Sequence, residues 1–249
     1  MHVMVTTPDV HGAGLTTEPL DALRYDGHSD DPHEVGGMFR ALMPEKAKVL
    51  DVGCGTGSVT LIANAGKYNE VRAIEPDPQR AGVAASRGVD VHVGLLDQEY
   101  IAAHGPFDVI MSSDVLEHMA APAEALRLFM QALRPGGHVL VSVPNVAHWT
   151  VRMSLLFGRF DYEPVGIMDA THLRWFTAKS ITNLFSDAGF EVVSLQHTAG
   201  TFLDAYHRRP FRRFSASAKA DVVRRLTRRM PLLFGCQHIV KARKPALST

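Results

Sequence analysis

Residues 51–57 read Asp-Val-Gly-Cys-Gly-Thr-Gly, a run that brings bare backbone against a nucleotide-like ligand. Glycines lack Cβ, so the chain can turn sharply and a ligand can lie close to it. Their spacing discriminates among ligands. A dinucleotide loop reads G-x-G-x-x-G/A and leads a pyrophosphate onto a helix N-terminus. Here the third glycine, Gly57, comes one residue early, and Ser58 stands where the dinucleotide glycine belongs. The tighter loop suits a ligand without phosphate that carries a carboxylate, an amine and a sulfonium. Asp51, Gly53, Cys54, Gly55 and Gly57 are therefore candidate ligand-binding residues. Glu75, followed by Pro76, comes 22 residues after Gly53. It can accept from both ribose hydroxyls, or it is a solvated strand-end acid. Asp97 can accept from an adenine amino group, or it caps a loop.

A second set of side chains suits chemistry on a reaction partner. Asp114, Glu117 and His118 stand at i, i+3 and i+4 and share a face if the segment is helical. Two carboxylates and an imidazole there can hold a Mg²⁺-like ion that lowers the pKa of an acceptor hydroxyl; otherwise they shape the pocket floor. His172, His148 and His118 are candidate general bases, since imidazole titrates near working pH, and Asp169 can orient His172. With 13 histidines in the chain, a structural or surface role competes for each. Asn145, Trp149 and Arg174 are candidate acceptor contacts. Arg174 either clamps an anionic group or pairs with Asp169 or Asp161. Tyr25 and His28 lie in an N-terminal arm that is either a water-excluding lid or a flexible acidic leader.

These residues need a scaffold, and apolar runs alternating with helix-period stretches supply one. Strands are expected at Lys48–Val52, Glu70–Ile74, Val89–Val93, Phe107–Ser112, His138–Val143, Phe190–Gln196 and Gln237–Ala242. Helices are expected at Gly57–Asn64, Pro78–Arg87, Ala121–Leu133 and Ala178–Ala188. Arg134-Pro-Gly-Gly137 supplies a helix stop and a tight turn. The expected organisation is an arm over 1–44 and an α/β domain over 45–249. Two insertions follow, an acceptor-side one at 144–177 and a basic one at 206–230.

The ordered series Val49–Gly57, Glu75-Pro-Asp77, Asp97, Phe107-Asp-Val-Ile110 and Leu133-Arg-Pro-Gly-Gly137 resembles the class I S-adenosylmethionine-dependent methyltransferase family over roughly residues 45 to 198. The resemblance implies a seven-stranded, mostly parallel Rossmann-like sheet with helices on both faces and the last strand antiparallel. It also implies that Asp51, Gly53, Gly55, Gly57, Glu75, Asp97 and the Ser112–Ser113 backbone hold S-adenosyl-L-methionine. After Ser113 the chain reads Asp-Val-Leu-Glu-His, without the Asn/Asp-Pro-Pro-aromatic motif of enzymes that methylate base amines or glutamine. It resembles the Ser-Glu-Val-x-Glu-His of ubiquinone-biosynthesis O-methyltransferases, some of which bind metal there, with Asp114 in place of their first Glu. Asp169-Ala-Thr-His-Leu-Arg-Trp-Phe-Thr177 resembles a subgroup acting on small molecules or glycans. The implied activity is O-methylation of a small metabolite, sugar or lipid-linked acceptor. An N-methyltransferase acting on an amine or RNA, or a cofactor-binding regulatory protein without turnover, are the other readings.

With 249 residues, 46% of them hydrophobic, the chain can bury one sizeable core. Two cysteines are too few for a disulfide scaffold or a radical-enzyme cluster. No apolar run spans a bilayer, so a soluble, cytoplasmic protein is expected. The net charge of zero hides a division: residues 1–205 hold 14 Lys+Arg against 25 Asp+Glu, and 206–249 hold 12 against 1. Val222, Val223, Leu226 and Met230 alternate with Arg224, Arg225, Arg228 and Arg229 at helical spacing. Such a basic helix packs on the domain with solvated arginines, meets an anionic membrane or lipid-linked substrate peripherally, or touches nucleic acid. The acidic remainder argues against broad nucleic-acid binding, and the oligomeric state is left open.

Overall fold

A computed structural model describes residues 21, 23–207, 213 and 215–246. The arm's first twenty residues and residues 208–212 and 214 of the basic segment lie outside the described residues. Among the described residues seven strands form one sheet: β1 (Lys48–Val52), β2 (Glu70–Glu75), β3 (Asp90–Val93), β4 (Phe107–Ser113), β5 (Leu133–Pro144), β6 (Glu191–His197) and β7 (Gln237–Arg243). Their order is β3-β2-β1-β4-β5-β7-β6. Neighbours from β3 through β5 pair in parallel, and β7 slots antiparallel between β5 and β6. All strands except β7 therefore end at one carboxyl edge, where open α/β sheets bind ligands. This is the Rossmann-like sheet expected from the resemblance.

Period-two alternation sends each strand's side chains to two faces. Leu50, Ile110, Val141 and Val240 pack with Leu126 and Phe129 of α5 (Pro122–Ala132) and Ile181 and Phe185 of α7 (Ala178–Asp187) on one face. Val49, Met111, Leu140 and Ile239 pack on the other with α1 (Val35–Leu42) and α2 (Ser58–Asn64). Local signals set several helix starts. Asp77 accepts from the amides of Gln79 and Arg80 ahead of α3 (Pro78–Ser86), and Thr177 and Ser180 form a capping box for α7. The Pro-Gly-Gly turn lies inside β5, where the register against β4 jumps from Phe107↔Leu133 to Val109↔His138.

Four helices had no sequence signal: α1, α4 (Gln98–His104), α6 (Trp149–Leu156) and the single-turn α9 (Pro231–Phe234). In α1, Gly36 and Gly37 each cost about 1 kcal/mol in helix propensity. Burying Val35, Met38 and Phe39 contributes about 1.5–3 kcal/mol apiece, so packing prevails. The glycines are there for contact: a Cβ at Gly37 would stand 2.2 Å from the carbonyl oxygen of Asp31. The basic segment contains α8 (Ala216–Arg229), followed by α9 (Pro231–Phe234). No helix among the described residues is long and apolar enough to cross a membrane.

Candidate active site

At the end of β1 the chain enters a loop in which Gly53 and Gly57 take φ of 78° and 77°, a region disfavoured for residues with a side chain. Gly53 is doubly required, since a Cβ there would lie 2.5 Å from Cγ2 of Val115. The glycine loop therefore packs directly on the segment that follows β4. Asp51, the penultimate residue of β1, is buried; Thr60 of α2 donates to its Oδ2 at 2.6 Å, and Oδ1 is buried with no partner among the described residues. Burial, with the nearby Glu75 carboxylate also raising it against the Thr60 bond, pushes Asp51 up to about 7. Glu75 is buried at the end of β2 and accepts from the Gly55 amide at 2.8 Å and the Asp77 amide at 3.0 Å. Pro76 beside it is exposed.

Asp97 caps α4 by accepting from the Tyr100 amide at 2.8 Å while remaining exposed, so the loop-cap role is present. The Cys54 thiol is buried, which raises its pKa and keeps it protonated. Ser112 donates to the Val52 carbonyl at 2.9 Å, and Ser113 lies 3.1 Å from Ser142.

Beyond β4 the expected acidic trio separates. Asp114 sits at φ 53° with both carboxylate oxygens 2.8 Å from Nε2 of Gln237, which donates to them. Glu117 and His118 instead join His172: one ligand-type atom from each lies within 4.8 Å of the others. The segment is a single 3-10 turn, Leu116–His118, so helical i, i+3 geometry does not carry Asp114 onto the same face. Amides of Leu173 and Arg174 donate to the Glu117 carbonyl at 2.8 and 3.0 Å, and this clamp delivers His172. Both Glu117 carboxylate oxygens are buried without partners among the described residues. Burial first, then the Asp114 charge, drives its pKa far up. The His172 and His118 rings meet edge-on at 4.9 Å. Nδ1 of His172 lies 3.1 Å from the Ile167 carbonyl, an arrangement that places the proton on Nδ1 and leaves Nε2 as the acceptor.

Five other expectations are corrected by the packing. Asp169 does not orient His172: it accepts from Tyr25 Oη at 2.5 Å, Arg24 at 3.2 Å, and the amide and hydroxyl of Thr171 at 2.7 and 2.6 Å. His148 is fully buried, with Nδ1 2.8 Å from the Thr150 hydroxyl and Nε2 3.3 Å from the Tyr206 hydroxyl. Burial lowers it to about 4, and it caps α6. Asn145 is fully buried and donates to the Gly235 carbonyl at 2.8 Å, while Trp149 Nε1 donates to Tyr206 at 3.1 Å. Asn145 ties the acceptor-side insertion to the segment before β7, and His148 and Trp149 tie it to Tyr206 in the segment after β6. Arg174 pairs with neither Asp169 nor Asp161; it donates to the Ala120 and Leu173 carbonyls.

The arm proves to be a strap. Tyr25 also accepts from the Gly166 amide at 3.0 Å, Asp26 takes the Thr56 hydroxyl at 2.8 Å and a bidentate Arg87 at 2.7 Å, and the His28 amide donates to Ser58. Arg24, Asp26 and Arg87 tie the strap to the acceptor-side insertion and the glycine loop and were missed by sequence reasoning; the charge of Arg24 and Asp26 on either side of Tyr25 was a signal, and Arg87 left none.

A family model described as "Methyltransferase domain" matches residues 32–195, about two thirds of the chain and all of the glycine loop, β4 and the His172 segment. The chain belongs to this methyltransferase family. It is an S-adenosylmethionine-dependent enzyme. The chain is similar to the ubiquinone biosynthesis O-methyltransferase of Aeromonas salmonicida, 25% identical over 190 residues covering 74% of this chain and 76% of the relative. The corresponding protein of Caulobacter vibrioides is 35% identical over 106 residues, 41% of this chain and 42% of the relative, so the match spans less than half of that protein. A crystal structure of a SAM-dependent methyltransferase from Archaeoglobus fulgidus shares the fold, with a TM-score of 0.57 at 18% identity over 84% of this chain and 93% of that one.

Proposed function

We propose that this methyltransferase alkylates a hydroxyl oxygen of a small acceptor held over the end of β4, with His172 taking the proton. The observation that carries this is the Glu117–His118–His172 cluster, one turn beyond the Val115 side chain on which the glycine loop packs. The similar ubiquinone biosynthesis O-methyltransferases support oxygen as the nucleophile.

The residues fit the cofactor. Asp51 Oδ1, buried and without a partner among the described residues, suits the methionine ammonium, and Glu75, buried at the end of β2, suits the ribose hydroxyls. Bound there, S-adenosylmethionine supplies an electrophilic methyl on sulfonium. The chain's own work is to hold the acceptor oxygen in line with that methyl and to accept its proton on His172 Nε2 as the new C–O bond forms and the C–S bond breaks, leaving S-adenosylhomocysteine. His172 is suited to this because burial first, and then the His118 ring, lower its pKa and keep it neutral at working pH.

The donor set is a poor match for Mg²⁺, which prefers oxygen ligands, and Asp114 is engaged by Gln237. Glu117, His118 and His172 would instead suit an imidazole-preferring divalent ion such as Zn²⁺; with Nε2 of His172 then engaged as a ligand, the ion would acidify the bound hydroxyl in place of proton transfer to His172. Incubation with radiolabelled methyl donor and a panel of catechols, other phenols, sugars and amines tests the proposal. Ether products lost in His172→Ala support it, and N-methyl products overturn it.

A further inference from the structure

A cleft of about 540 Å³ opens beside the carboxyl end of β6, walled by the start of α1, the end of β6 and one side of α8. Its size is that of a small-molecule site. Its ionisable lining is His33, His197, Arg224, Arg225, Arg228 and one acid, Asp221. Arg224 is paired with Asp31 of the strap. Arg225 and Arg228 are exposed and make no ion pair with any described residue, while Val223 and Thr227 of the same helix are buried. Two guanidinium groups turned into a concavity, with imidazoles opposite and a single carboxylate, are the donor set that a phosphate takes up through paired N–H···O bonds.

The position matters as much as the charge. β6 lies three strands from β4 in the sheet, a span of about 14 Å at normal strand spacing. One elongated acceptor can therefore place a hydroxyl at the Glu117–His118–His172 cluster and an anionic group in this cleft. Binding energy gained at such a distance can be used to orient the reacting hydroxyl. We infer that the cleft between α8 and β6 binds a phosphate or diphosphate group carried by the acceptor. This inference rests on the small-acceptor reading above, and it extends it to a substrate class. A concave wall favours a discrete anion over a flat membrane surface, which would meet the arginines from outside.

Calorimetric titration of the full chain with inorganic pyrophosphate tests the cleft without requiring turnover, so its outcome is separable from that of the methylation assay. The expected result is saturable one-site binding that weakens roughly tenfold or more in the Arg225→Gln/Arg228→Gln double variant. S-adenosylhomocysteine affinity and melting temperature should stay unchanged in that variant, and Asp221→Asn should tighten pyrophosphate binding. No binding up to about 10 mM, or equal binding by the double variant, overturns the inference. Adsorption to phosphatidylglycerol vesicles without pyrophosphate affinity also overturns it and assigns α8 to a membrane surface.

Discussion

Asp51 has one carboxylate oxygen satisfied by Thr60 and another with no hydrogen-bond partner among the described residues, in a site where burial has pushed it up to about 7. Its folded-state pKa stands above the usual carboxylate value, so the stability linked to it is present at low pH and is lost as pH rises through about 7. A cationic ligand group beside Oδ1 reverses that preference by favouring the ionised form. Affinity for S-adenosylhomocysteine should therefore rise between about pH 6 and pH 8, and Asp51→Asn should flatten the rise and weaken binding by about 1.5–3 kcal/mol; an unchanged pH profile in the variant would assign the dependence elsewhere. His172 titrates in the opposite sense: its lowered pKa keeps the base neutral to below the ordinary imidazole range. The rate should fall only on the acid side, below about pH 6.5, and His172→Ala should lose about 10²–10⁴ in kcat while still binding S-adenosylhomocysteine. An acid limb that persists in whatever activity remains would point to another base. At this scale the sharp turn of the glycine loop and the place of Glu75 at the end of β2 were legible from residue type and spacing. The capture of Asp114 by Gln237, 123 residues away, was not, because a long-range side-chain bond leaves no local pattern.

The elements divide in the same way. Strands announced themselves through apolar alternation and turn residues, and six of the seven were placed within about two residues, the usual boundary error; β5 alone begins five residues early, at Leu133. Helix α1 did not, because its glycines serve packing against the strap backbone and contradict its propensity. The strap was legible only as an arm with Tyr25 in it. Its role comes from pairing partners in three elements: Asp169 on the acceptor side, Arg87 after α3, and Arg224 on α8. Tyr25 is the centre of the acceptor-side lock, and burial together with Asp169 raises its pKa, so it stays a donor. Tyr25→Phe removes its bonds to Asp169 and Gly166 and leaves a buried carboxylate one donor short, a cost of about 1–3 kcal/mol. Limited proteolysis should then cut the arm at least about tenfold faster, since cleavage follows the open population; wild-type resistance would show that Tyr25 does not hold the strap.

Across the whole molecule, the groups assigned to the proposed cofactor, acceptor and anion sites collect on one edge of the sheet. The glycine loop, the Glu117–His118–His172 cluster, the strap and the α8 cleft all lie at the carboxyl ends of parallel strands, as the topology requires. The charge division of the sequence has a spatial meaning too: α8 carries its arginines to the same edge, beside an acidic domain. This placement could not be read from the sequence, since a basic helix pattern fits a solvated face equally well. What holds the edge together is the β1 loop, where Gly53 admits no Cβ between its backbone and Val115. Gly53→Ala should cost about 1–3 kcal/mol in stability through strain at positive φ, seen as a lower melting temperature; an unchanged melting temperature would mean that the loop can relax. The account stands most directly on the cofactor. Calorimetric titration with S-adenosylhomocysteine should show one saturable site per chain, weakened at least about tenfold by Glu75→Ala. Absence of binding, or full affinity in that variant, would contradict it.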